Sequence, residues 1–160
     1  MPFLPIGPPV QDADAFAETA FLGLARGSKR DPYRLSLFAR HLDPDERPLA
    51  FVAVHGGTLV VTDRRLLEFR AHLEVHGAWN VKEFQGYEIR REIPRSDVSR
   101  AEHRIGPASE SASPADVEDV LVLETPEGSE RILVSRGPEP TLAPEEFETL
   151  RSAILGPQAK

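Results

Sequence analysis

The sequence predicts a mainly β, α+β domain: a curled antiparallel sheet or barrel of about seven short strands, with a C-terminal capping helix and N-terminal helices. Three observations carry that expectation. Within Thr58 to Val75 (TLVVTDRRLLEFRAHLEV), Leu67, Phe69, Ala71, Leu73 and Val75 alternate with Glu68, Arg70, His72 and Glu74, the period of a half-buried strand. Turn-forming Gly, Pro and Asp residues cut the stretch from 49 to 135 into short apolar runs, as strands joined by tight turns require. From Pro144 the period changes, and Phe147, Leu150 and Ile154 fall on one helical face. A sheet with one apolar face must bury it by curling, doubling over or both, and a terminal helix can plug an open end.

The elements follow in order. Residues 1–11 are rich in proline and read as extended or loosely attached. Residues 12–26 place Phe16, Ala20, Phe21 and Leu24 on one helical stripe, with Asp12 or Asp14 as cap and Gly27 as terminator. A second helix starts with Asp31 as N-cap and Pro32 at its first position. Leu35, Phe38 and Leu42 form its inner face, and Pro44 ends it. Leu49 to Val54 is apolar on both faces and reads as a central or covered strand. His55-Gly56-Gly57 turns into Leu59 to Thr62, and Asp63-Arg64-Arg65 turns into a long strand, 66–76. After Gly77 a return strand, Val81 to Arg91, carries Phe84, Tyr87 and Ile89, and Gly86 marks a bulge or bend. Pro94 breaks it. Val98 to Ile105 is a weaker strand, 106–116 a polar loop, and Val117 to Thr125 with Glu130 to Ser135 a hairpin around Pro126-Glu127-Gly128.

Composition bounds the chemistry. The chain has no cysteine, which excludes disulfides, thiolate metal sites and cysteine nucleophiles. Its N-terminus, MPFLPIGPPV, lacks a basic region and is broken by four prolines, unlike a signal peptide. The longest apolar run, Leu49 to Val54, is too short to span a bilayer. A soluble, cytoplasmic protein is expected. The net charge of −7 disfavours non-specific binding of nucleic acid or anionic membranes. Residues 64–104 are the one net basic stretch, and acids interleave its arginines in the manner of cross-strand ion pairs.

The stretch LDPDERPLAFVAVHGGTLVVTDRRLLEF resembles the opening of bacterial pleckstrin-homology-like (bPH, YokE-like) domains. The similar features are Leu42-Asp43-Pro44-Asp45-Glu46 leading into the first strand, and Val60-Val61-Thr62-Asp63-Arg64-Arg65-Leu66 across a hairpin. Tyr87, Ile89, Ile93, Pro94, Asp97 and Val98 fall in the order of a later family segment, and a final amphipathic helix follows. The resemblance covers about residues 32–155. It implies two roughly orthogonal sheets capped by a helix, with 1–30 an N-terminal extension containing one helix, 31–156 the domain and 157–160 a tail. Eukaryotic relatives bind phosphoinositides through basic residues in the first inter-strand loop. His55-Gly56-Gly57 has none, so that recognition does not carry over.

Candidate chemistry is sparse. Asp63-Arg64-Arg65 presents adjacent guanidinium forks to an anion, or is ordinary turn chemistry. Trp79, near a hairpin tip, is a contact anchor or packs on its own hairpin, and Tyr87 is the other aromatic of that region. His72, Glu74 and His76 share one strand face and could ligate a divalent metal, with a further ligand such as His103, or be an ordinary solvated face. No G-x-S-x-G, phosphate-binding P-loop, G-x-G-x-x-G or H-E-x-x-H occurs. The expectation is a non-catalytic interaction module without a cofactor. It would bind a protein or peptide, or assemble with itself as some bacterial relatives do. The alternative is small-molecule or metal binding at His72, Glu74 and His76.

Overall fold

A computed structural model of the chain describes residues 11–26, 30–76, 81–107 and 116–156; at 74–76, 81–83 and 85 it describes the backbone alone. Among the described residues eight strands form two sheets. The larger has the order β1 (Ala20–Leu22), β2 (Pro48–Val54), β3 (Gly57–Thr62), β4 (Arg65–His76), β5 (Val81–Pro94). The smaller has the order β6 (Arg100–Pro107), β7 (Val117–Thr125), β8 (Gly128–Gly137). The α-helices among the described residues are α1 (Pro32–Ala39) and α2 (Pro144–Leu155).

The apolar face is buried by doubling over, and the expected barrel does not close. Pro94 ends β5, a 3₁₀ turn at Arg95–Asp97 redirects the chain, and β6 pairs with β7 rather than with β5. The two sheets meet where the His55 N–H donates to the Leu133 carbonyl at 3.0 Å.

The first expected helix, 12–26, is not formed. Ala13–Phe16 and Gly23–Ala25 are 3₁₀ turns, and between them β1 runs parallel to β2, Ala20 opposite Ala50 and Leu22 opposite Val52. The cause is tertiary. β2 offers an open edge on a strand buried on both faces, and the Thr19 hydroxyl donates to the Pro48 carbonyl at 3.0 Å as the chain docks there. A positive φ of 64° at Gly23 then turns the chain out of the strand. The second helix forms as read, with the Asp31 carboxylate accepting from the Tyr33 N–H and Leu35, Phe38 and Leu42 buried. It stops at Ala39, before Pro44 can act.

Two clusters fill the molecule. Between the sheets lie Val52, Leu59, Leu66, Leu121, Leu123 and Ile132, closed off by Leu150 and Ile154 of α2. On the outer face of the larger sheet lie Phe16, Phe38, Phe51, Leu67 and Phe69, covered by α1. Each buried aromatic or leucine is worth ~1.5–3 kcal/mol. Both faces of β2 and β3 are therefore covered, which explains their unbroken apolar runs.

Candidate functional site

The Thr62-Asp63-Arg64-Arg65 turn is tied to the Asp43-Pro44-Asp45-Glu46-Arg47 segment by every polar side chain it has. Asp63 Oδ1 accepts from the Arg47 N–H at 3.0 Å. Arg64 reaches Asp43 at 3.1 Å and Asp45 at 2.6 Å. Arg65 lies beside the fully buried Glu46, its Nε 2.9 Å from Oε2 and its Nη2 2.9 Å from Oε1. Thr62 Oγ1 donates to the same carboxylate at 2.6 Å and accepts from the Arg64 and Arg65 N–H groups. Burial pushes the Glu46 carboxyl up, but hydrogen bonds from Arg65, Thr62 and the Asp43 N–H outweigh it and hold it below the ordinary range. Arg65 in turn is pushed well above the usual guanidinium value, chiefly by its bond to Glu46. Both arginines thus pair with the protein's own carboxylates, Arg65 with a buried one and Arg64 with two exposed ones.

The long β4–β5 hairpin leaves the sheet. β3 pairs with β4 only at Thr58–Val61 against Leu66–Phe69, so β4 beyond Phe69 runs on with β5 as a two-stranded arm. Ala71 opposes Tyr87, but Leu73 opposes Phe84, so two residues of β5, Gln85 and Gly86, oppose His72 alone. Gly86 takes φ 100° at this bulge. It brings Phe84 and Tyr87 together, ring centroids 5.2 Å apart, despite an odd spacing in sequence. Tyr87 stacks on Phe38 at 3.9 Å and its hydroxyl accepts from Arg34 Nε at 2.7 Å. Leu73 and Phe84 stay 49% and 41% exposed.

The expected metal face is only partly in view. His72 Nδ1 lies 3.0 Å from Glu88, which also binds Arg70 at 2.8 Å. The Glu74 and His76 side chains and the whole of Trp79 lie outside the described residues. His103 belongs to the other sheet. Among the described residues no group of three or more His, Asp or Glu side chains is placed to hold a metal ion.

A groove that sequence reasoning missed lies between β6 and α2. β6 is the outer strand of its sheet, pairing with β7 along its full length. Beside it, a groove of about 650 Å³ is lined by Ala101, His103, Phe147 and Leu155, with Arg100, Glu102, Glu148 and Arg151 around it. The charged residues pair among themselves, Arg100 with Glu102 at 2.8 Å and Arg151 with Glu148 at 2.7 Å. One buried group links the two walls of the groove. Asp119 bonds His103 Nε2 across the sheet, and its Oδ2 accepts the Thr141 and Leu142 N–H groups at 3.0 Å, just ahead of α2. His103 then lies against Phe147, centroids 5.2 Å apart. The available signal was an acid at 119, in phase with the buried Leu121 and Leu123.

No helix among the described residues is long and apolar enough to cross a membrane. Compared with family models, curated proteins and solved structures, the chain matches none.

Proposed function

We propose that this chain is a non-catalytic interaction module of pleckstrin-homology-like fold. It binds an extended segment of a protein partner along the free edge of β6, in the groove against α2. The fold assignment is supported by connectivity: a four-strand antiparallel meander (β2 to β5), a three-strand meander (β6 to β8), then a C-terminal helix against both sheets. β1 and α1 are additions to that frame.

The observation that carries the binding site is an outer strand beside a mostly polar groove that also exposes Ala101, Phe147 and Leu155 in its lining. Main-chain groups on such an edge pair with an incoming strand, while the groove takes alternate side chains. The edge of β5 is a poorer acceptor. It carries irregularities at Gly86 and Arg90, and the His41 ring already donates to the Tyr87 carbonyl at 2.9 Å. The edge of β1 is three residues long.

The test is selection from an unbiased phage-displayed peptide library, followed by NMR titration of the selected peptides. Amide shifts are expected along Arg100–Arg104 and Phe147–Arg151, and Phe147→Ala is expected to abolish them. Light scattering tells a second copy of the chain from a different protein as the natural partner. Failure to select any peptide, or shifts elsewhere, overturns the site.

A further inference from the structure

We infer that His103 sets the sequence of the segment that docks in the β6–α2 groove, an inference that rests on that groove being a strand-docking site. The ring acts as a hydrogen-bond acceptor for a neutral donor side chain of the partner: serine, threonine, asparagine or glutamine. Apolar residues stand two places before and two places after that donor. The His103 side chain lines the groove although it is only 8% exposed.

One nitrogen of the ring is committed and the other is open. Nε2 bonds the fully buried Asp119, whose Oδ2 also accepts the Thr141 and Leu142 N–H groups. An ionised aspartate only accepts, so the proton of its bond to His103 sits on Nε2. In the neutral ring Nδ1 is then an acceptor. Nδ1 has no hydrogen-bond partner among the described residues. Nor is it one of the buried side-chain atoms left without a partner, which are Glu68 Oε1, Ser135 Oγ and Thr141 Oγ1. It therefore keeps access to solvent, on a ring otherwise packed against Phe147 and Asp119, and the groove is the space it opens on.

Strand geometry supplies the neighbours. Directly opposed residues of an antiparallel pair share a face. Ala101 opposite Leu123, His103 opposite Leu121 and Ile105 opposite Asp119 therefore point to the inner side of the sheet, and Arg100, Glu102 and Arg104 to the other. A segment added to the edge of β6 places every second side chain on that inner side. One falls beside His103, and the two flanking it fall beside Ala101 and Ile105. Ile105 is 51% exposed, and Ala101 shares the groove lining with Leu155, so both flanking positions suit apolar residues. At the central position a charged side chain would give up its water beside a nearly buried ring. The charges around the groove offer it no recompense, because Arg151 pairs with Glu148, and Arg100 and Arg104 with Glu102. A neutral hydroxyl or amide meets Nδ1 without that penalty.

The test takes groove-binding peptides selected by the full chain from an unbiased phage-displayed library. Enrichment is expected for serine, threonine, asparagine or glutamine with apolar residues two places to either side. In a threonine-centred peptide, exchanging that threonine for valine, nearly the same shape without the donor, is expected to weaken binding about tenfold. The same exchange should change little against His103→Phe. Nitrogen NMR of the ring needs no variant: the free chain should show Nε2 protonated and Nδ1 bare, and the Nδ1 resonance should move when the threonine peptide binds and not with the valine one. Peptides that bind in the groove with no central preference, or equally well with valine, overturn the inference and leave the groove standing as a docking site. A ring protonated on both nitrogens, or on Nδ1 alone, overturns it too. Absence of any groove-binding peptide overturns the docking site itself and this inference with it.

Discussion

At the scale of single residues, the densest polar structure is the Glu46–Arg65–Thr62 knot. Both halves stand in the family-like motifs of the sequence, but only folding shows that they meet. Periodicity finds faces and not the pairing of charges far apart in the chain. A buried carboxylate is tolerable only while its partners remain. Arg65→Met strips the Glu46 carboxylate, fully buried in the native chain, of its cation and is expected to cost about 3 kcal/mol or more, read as a lower urea midpoint. Glu46 also sets an acid limit. Its folded value lies below the ordinary 4.5, so the unfolded chain binds the proton first. The stabilisation is complete above pH 4.5 and is lost as pH falls through the folded value. In stability measured against pH, Glu46→Gln should flatten the acid slope below 4.5. An unchanged slope would assign the acid sensitivity to other carboxylates. His41 gives a second sign. Burial lowers it from 6.5, more than the Tyr87 carbonyl raises it. It should be neutral at pH 7, with the proton on Nε2, and NMR titration should place its midpoint below 6.5.

At the scale of elements, the alternating run from Leu67 to Val75 and the glycine at 86 were legible because strand period and bulge chemistry are local. The helix expected over 12–26 was misread for the converse reason. Phe16, Ala20, Phe21 and Leu24 do have helical spacing, but the spacing cannot see the open edge of β2, where Ala20–Leu22 pair instead. Gly57 shows how tightly the elements are joined. A Cβ there would sit 2.1 Å from the Phe69 carbonyl oxygen, a backbone atom with no room to withdraw. Gly57→Ala is therefore expected to cost at least about 2 kcal/mol by forcing β3 from β4. Gly56→Ala is the useful comparison, because it meets no atom within 4 Å yet sits at φ 78°. Its cost should be only about 1 kcal/mol, the backbone penalty of a left-handed position. Equal losses in thermal melts would show that conformation, and not the close approach to Phe69, decides both sites.

At the scale of the whole molecule, seven of the eight strands, the short turns and the capping helix were readable in advance; β1 was not, and neither was the β6–α2 groove. Its walls lie 44 to 56 residues apart in sequence, and what brings them together is a set of contacts with no periodic signature: Asp119 to the start of α2, and Arg95 to its end. Arg95 Nε donates to the Ala153 and Ile154 carbonyls at 2.9 and 3.2 Å, and its Nη1 to the Asp63 carbonyl at 3.3 Å. One guanidinium thus joins the C-terminus of α2 to the β3–β4 turn, where a cation is favoured by the helix dipole and by the unpaired final carbonyls. Removing it should loosen the helix before it loosens the sheets. Arg95→Ala is expected to lose about 2 kcal/mol of global stability, the scale of hydrogen bonds from a charged donor. The sharper reading is amide hydrogen exchange, since local opening can precede global unfolding. Amides of Leu150 to Gly156 should exchange faster in the variant, while Leu121 and Leu123 of β7 change only by the global amount. If α2 and β7 accelerate together, Arg95 contributes stability without setting the position of α2, and the groove wall must be held by Asp119 and the buried Leu150 and Ile154 alone.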